Sequence, residues 1–216
     1  MWYEKILQTN RVPDFLLRPV LWWITGRKIR QLNRKTFLEQ EKERRELLKK
    51  LDSSPIALVP DLPNEQHYEV PPEFFELVLG KRLKYSCCYW PAGVENLAAA
   101  EEAMLELTCR RAGLENGMKV LDLGCGWGSL TLWIAEKYPE CQITAVSNSR
   151  DQIQFITDRA EKEGFRNVSA SVMDVNQLDL PEKFDRVFSI EMFEHMKNYR
   201  ALMRKIKQLL NDDGRF

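Results

Sequence analysis

The spacing of apolar residues changes character about halfway along the chain. In the first half it is helical. Residues 28–51 contain no Gly or Pro, are rich in helix formers, and set Ile29, Leu32, Leu47, Leu48 and Leu51 on one stripe. Residues 95–112, ENLAAAEEAMLELTCRRA, predict a strong helix ending near Gly113. From residue 118 onward short apolar runs alternate with amphipathic segments. Strands are expected at Met118–Leu123, Gln142–Val146, Asn167–Met173 and Phe184–Ile190. Helices are expected at Ser129–Tyr138, Arg150–Lys162 (closed by Gly164) and Tyr199–Leu210. Strands alternating with helices predict right-handed crossovers and an α/β fold: a Rossmann-like parallel sheet with helices on both faces, preceded by a helical N-terminal extension.

Breaker residues mark the divisions. Residues 52–66 carry three prolines, Pro55, Pro60 and Pro63, among polar residues and read as a linker. The expected domains are therefore 1–66, an extension with its linker, and 67–216, the α/β part. A short helix is expected from His67 to Gly80, opened by Pro71 and Pro72. At the end, Asp213-Gly214 reads as a turn and Arg215-Phe216 as the opening of a fifth strand. A sheet halted there would leave an exposed edge, so the chain is expected to be truncated, with later strands absent.

Composition changes this picture little. Of 216 residues, 44% are apolar and 30% charged, which is ordinary for a globular protein. The net charge is zero, but residues 1–50 hold 13 Lys/Arg against 6 Asp/Glu. That basic front, with Trp22 and Trp23 in the apolar run FLLRPVLWWI (15–24), fits either a solvated helix face or peripheral contact with an anionic membrane. The run is short for a spanning helix and is interrupted by Arg18 and Pro19. No signal peptide and no nucleic-acid partner are expected. The five cysteines, Cys87, Cys88, Cys109, Cys125 and Cys141, form no C-x-x-C pair, and His67 and His195 fit no zinc spacing. We expect reduced thiols in a cytoplasmic protein, with no metal.

The sharpest chemical signal is VLDLGCGWGSL. Asp122 ends a strand, and Gly124, Gly126 and Gly128 form the turn into a helix. Glycines allow positive φ and close approach of backbone to a ligand, and such a turn sits where an α/β sheet binds nucleotides. The spacing is G-x-G-x-G, not the dinucleotide G-x-G-x-x-G. The second strand ends in Ser147-Asn148, without the acidic residue a dinucleotide ribose uses, and no G-K-[ST] follows. Asp122 is badly placed for a pyrophosphate and well placed for an amino group. S-adenosylmethionine carries that amino group and an adenosine. Asp174, in MDV after the third strand, is suited to accept from the adenine amino group.

Residues 118–216 resemble the first half of a class I S-adenosylmethionine-dependent methyltransferase. With HYEVPPEFFELVLGKRLKYSCCYW, LDLGCGWGS and FSIEMFEHMKNY in order, residues 64–216 resemble the cyclopropane-fatty-acid synthase and coclaurine N-methyltransferase superfamily. The resemblance implies cofactor contacts at Ser86, Gly124, Asn148, Gln152, Asp174 and Val175. To these the residues themselves add Asp122 and Gly126, with Ile190 as a wall. The resemblance further implies that YSCCYW folds over the cofactor, with Tyr85, Tyr89 and Trp90 excluding water. Cys87 then matches a cysteine that helps hold bicarbonate in cyclopropane synthases, or else Cys87 and Cys88 are small buried hydrophobes.

EMFEHMKNY follows the fourth strand at the edge where ligands sit. Glu194 and His195 supply a carboxylate and an imidazole able to take a proton from an amine acceptor. Alternatively, His195 only orients Glu194 or caps the next helix. Glu191 is a weaker candidate. Leu132 stands where the resemblance would align a bicarbonate-binding histidine, which favours an amine over an alkene. The leading expectation is an enzyme that methylates a small, amine acceptor. Alternatives are a cyclopropane synthase acting on unsaturated acyl chains, with bicarbonate as cofactor, and a non-catalytic S-adenosylmethionine-binding fragment. A nicotinamide oxidoreductase ranks last. A homodimer is a further expectation.

Overall fold

In a computed structural model, residues 12–58 and 72–216 are described. The expected helix start at His67 and Pro71 lies outside them, and a helix, α3, is described from Pro72 to Val78. The chain divides into two units, Met1–Lys50 and Leu51–Phe216.

In the first unit, α1 (Asp14–Asn33) runs through Pro19, which has no N–H to donate to the preceding turn. The stretch 28–51 is not one helix. Thr36 and Glu39 form a reciprocal capping box, Thr36 N–H to Glu39 Oε2 at 2.8 Å and Glu39 N–H to Thr36 Oγ1 at 3.3 Å, which starts α2 (Phe37–Asp52) afresh. Neither helix has a buried residue. Among the described residues no helix is long and apolar enough to cross a membrane.

The second unit is the α/β fold. After α4 (Leu97–Ala112), strands β1 (Lys119–Leu123), β2 (Gln142–Ser147), β3 (Val168–Val172), β4 (Phe184–Phe188) and β5 (Leu210–Arg215) form one sheet in the order β3-β2-β1-β4-β5. All four pairings are parallel. Helices α5 (Ser129–Lys137), α6 (Arg150–Glu163) and α7 (Tyr199–Leu209) connect them. Local chemistry sets the helix ends. Asn96, Ser149 and Asn198 accept from Ala99, Gln152 and Ala201 N–H groups, and Gly113 and Gly164 close α4 and α6 in the left-handed conformation. The fifth strand begins earlier than expected. Leu210 pairs with Phe184, Asn211–Gly214 bulge out, and Arg215 pairs with Arg186.

The sheet is covered on both faces. Leu121, Leu123, Val146 and Phe184 pack with Leu202, Ile206 and Leu209 of α7, together with Ile56 and Ala57. Val120, Ile143 and Phe188 pack with Leu105 and Cys109 of α4 and Trp133 and Ile134 of α5. Ile56 and Ala57 belong to the segment read as a linker, and both are buried. Asn176 explains why: its Oδ1 accepts the Ala57 N–H at 3.1 Å and its Nδ2 donates to the Ala57 carbonyl at 3.0 Å. Leu51 opens the second unit, and Ile56 and Ala57 pack with its core.

Candidate functional site

Strand order reverses around β1, whose neighbours are β2 and β4. In open parallel sheets the crevice at such a switch point, beyond the strands' carboxyl ends, is where ligands bind. A cavity of about 180 Å³ lies there. Its floor is the β1–α5 turn. Gly124 and Cys125 N–H both donate to the Val146 carbonyl, at 2.8 and 3.1 Å, which pins the turn against β2. Gly124 (φ +82°) needs glycine twice over, because a Cβ there would sit 2.8 Å from Met192 Cγ. Gly126 (φ +53°) has open space where its Cβ would be, so a ligand can approach the backbone closely.

Of the expected residues, Ser86, Asp122, Gly124, Gly126, Asn148, Gln152, Asp174, Val175, Ile190 and His195 all line this cavity. Asp122, only 3% exposed, accepts from Thr131 Oγ1 at 2.7 Å. Burial pushes its carboxyl up to about 6, and the Thr131 hydrogen bond opposes this. Gln152 is buried, with its Oε1 accepting from Ser147 Oγ at 2.7 Å. The Asp174 carboxylate is held by Asn176, whose backbone N–H donates to Oδ1 at 2.8 Å. Among the described residues, the Ser129 hydroxyl and the Trp127 indole N–H, both on the wall, are buried without a hydrogen-bond partner, as are the Trp133 indole N–H and the Ser189 hydroxyl, which do not line it. Orphaned donors on a cavity wall are the expected signature of a site completed by a polar ligand.

Glu194 and Cys87 are placed differently. Both are exposed and neither lines the cavity. Glu194 sits with His195 in a single 3₁₀ turn, Phe193–His195. Cys87 contributes its backbone N–H, which donates to Glu191 Oε1 at 3.3 Å. Glu191 lines the cavity and holds φ +53°, a strained conformation for a non-glycine residue. Tyr85, Tyr89 and Trp90 are all exposed, and of the three only Tyr85, edge-on to Phe75 at 5.3 Å, is on the wall. Leu132 is buried among Cys125, Ala145, Ile153 and Ile156 and does not reach the cavity. Its identity therefore carries no information about the acceptor, which corrects the inference drawn from it.

The lysine-tyrosine-serine loop is held from below. Glu101, fully buried, accepts the backbone N–H groups of Gly80, Arg82 and Lys84 at 3.0, 2.9 and 3.1 Å. Arg82 lies 4.8 Å over the Trp133 ring and pairs with Glu102 and Glu136. Leu83 is in the left-handed region (φ +49°), and Lys84 Nζ donates to Ser86 Oγ. Lys84, Ala57 and Met192 are wall residues that sequence reasoning missed. Glu101 and Lys84 sit amid ordinary helical and loop charges, so only their burial singles them out. Among the described residues no cluster of His, Cys, Asp and Glu is placed to hold a metal.

Fold and site thus define a Rossmann-like α/β protein with a nucleotide-type crevice. Residues 62–216 match the family described as mycolic acid cyclopropane synthetase, and the chain belongs to that family. It is similar to an (S)-coclaurine N-methyltransferase of Thalictrum flavum subsp. glaucum, 40% identical over 210 residues, covering 97% of this chain and 58% of that protein. A cyclopropane-fatty-acyl-phospholipid synthase of Escherichia coli (strain K12) is 32% identical over 154 residues, 70% of this chain and 38% of that one. A crystal structure of coclaurine N-methyltransferase bound to N-methylheliamine and SAH superposes with a TM-score of 0.84 at 38% identity, covering 97% of this chain and 60% of that one. The chain therefore spans less than two thirds of the length of these relatives.

Proposed function

We propose that the protein transfers a methyl group from S-adenosylmethionine to a small amine. The observation that carries this reading is the cavity wall. It sets the buried Asp122 carboxylate, a glycine turn open to backbone approach, and Asn148 and Asp174 around one crevice. The similarity to a coclaurine N-methyltransferase over 97% of the chain favours an amine over other acceptors.

S-adenosylmethionine, when bound, supplies a methyl carbon made electrophilic by its sulfonium. The chain's own residues do the rest. Asp122, ionised at neutral pH, receives the donor's amino group, and Asn148 with Gln152 receives the ribose hydroxyls. Asp174 accepts from the adenine amino group, Ser86 and the Gly124–Gly126 backbone bind the amino-acid end, and Val175 and Ile190 form apolar walls. His195 takes the proton that an ammonium acceptor must lose before its lone pair can attack. Glu194, adjacent and exposed, carries that proton onward to solvent. Cys87, through its backbone bond to Glu191, holds the loop over the crevice.

The test is retention of radiolabelled S-adenosylmethionine by the chain, followed by mass spectrometry with benzylisoquinoline-type amines and with unsaturated phospholipids. An N-methylated amine is the expected product. A cyclopropanated or methylated acyl chain establishes instead the second reading, which the family description and the exposed Trp22 and Trp23 of α1 favour. Retention without any product identifies a binding fragment, and no retention removes the reading altogether. The same proposal places the protein in the cytoplasm as a homodimer, with a helical N-terminal extension separable from the α/β domain and the basic tryptophan-bearing front touching membrane. Light scattering, limited proteolysis and flotation with anionic vesicles test those points in turn.

A further inference from the structure

Lys84 is 4% exposed and lies on the cavity wall. Removing an ammonium from water is costly unless an anion compensates it. Among the described residues no carboxylate oxygen lies within 4 Å of its Nζ, and its side-chain partner is the neutral Ser86 hydroxyl. Glu101, the buried acid beside this loop, has its oxygens committed to the N–H groups of residues 80, 82 and 84. That clamp and the left-handed Leu83 fix the backbone from which Lys84 departs. Among the described residues, Lys84 is thus held buried on the cavity wall by rigid means without a paired carboxylate. On the same wall stands Asp122, an acid of opposite sign.

We infer that Lys84 binds the carboxylate of the donor's amino-acid moiety, while Asp122 serves its ammonium, so that the crevice selects a zwitterionic α-amino-acid end. This rests on the reading of the cavity as an S-adenosylmethionine site. Lys84 also orients Ser86, making that hydroxyl a second donor to the same carboxylate.

Calorimetric titration of the full chain with S-adenosylmethionine and with its decarboxylated analogue tests this, in the unaltered protein and in Lys84→Met and Lys84→Arg. A lost charge-assisted contact corresponds to about 10- to 100-fold in affinity. The unaltered protein should prefer the carboxylate-bearing donor by that factor. Lys84→Met should weaken S-adenosylmethionine binding by the same factor, leave the analogue within about twofold, and erase the preference. Lys84→Arg should retain most of it. Equal binding of both donors by the unaltered protein overturns the inference, whether or not Lys84→Met folds. So does an equal loss for both donors in a Lys84→Met that keeps its circular dichroism. In both cases the donor-site reading survives. Failure of the unaltered chain to bind either donor overturns both.

Discussion

Asp122 shows what a site residue costs the fold. Its carboxyl titrates near 6 in the folded chain against an ordinary 3.8, because burial penalises the charged form. Below 3.8 the group is protonated in both folded and unfolded chains. Between there and about 6 the folded chain keeps a proton that the unfolded chain has lost, so stability falls as pH rises through that window and is level above it. Asp122→Asn should remove this slope. In the ligand-free protein at pH 7 it should raise stability by up to about 3 kcal/mol while weakening donor binding. Urea unfolding of both proteins at pH 4 and pH 7 measures it, and identical slopes would refute the account. Leu132→His is the contrasting case. The site is apolar and lies in the core between α5 and α6, so the imidazole has no partner there. A loss of about 2–4 kcal/mol is expected whatever the acceptor. Thermal unfolding without activity measurement decides it, and an unchanged midpoint would show that Leu132 is not core.

At the scale of elements, short polar ties connect segments distant in sequence. Asn198 caps α7 through Ala201 N–H at 3.0 Å, and its Nδ2 donates to the carbonyls of Asp52 and Ser54 at 2.9 and 2.8 Å. Asn198→Ala removes a cap and leaves these acceptors unpaired, for an expected loss of about 2–4 kcal/mol. Chemical denaturation reads the loss, and hydrogen exchange should show it concentrated at residues 52–58 and the start of α7. Uniform exchange changes would contradict a local tie. Strands and helices from residue 97 onward are legible from period and caps, because each element's own residues decide it. The stretch 28–51 reads as continuous because helix propensity says nothing of register, whereas the Thr36–Glu39 box restarts the helix.

At the scale of the whole second unit, the crevice is one place where buried polar groups lack partners. Among the described residues, buried donors without partners on Ser129 and Trp127 and the buried Lys84 line it. S-adenosylmethionine at about 100 times its dissociation constant should then stabilise the fold by about 2.7 kcal/mol. That corresponds to a rise of roughly 5–10 °C in Tm, read by scanning calorimetry, and no rise would argue against a donor site here. Sequence alone determined the α/β class, the glycine turn and the run of residues Asp122, Asn148 and Asp174 at strand ends, because the period of two or 3.6 and the φ demands of glycine are local properties. Only the tertiary structure decided that Ala57 joins the site, that Glu194 and Cys87 stand outside the cavity, and that Leu132 faces the core. It also revealed the buried Lys84 charge. Burial and pairing belong to contacts between segments far apart in the chain, and no local pattern of residues encodes them.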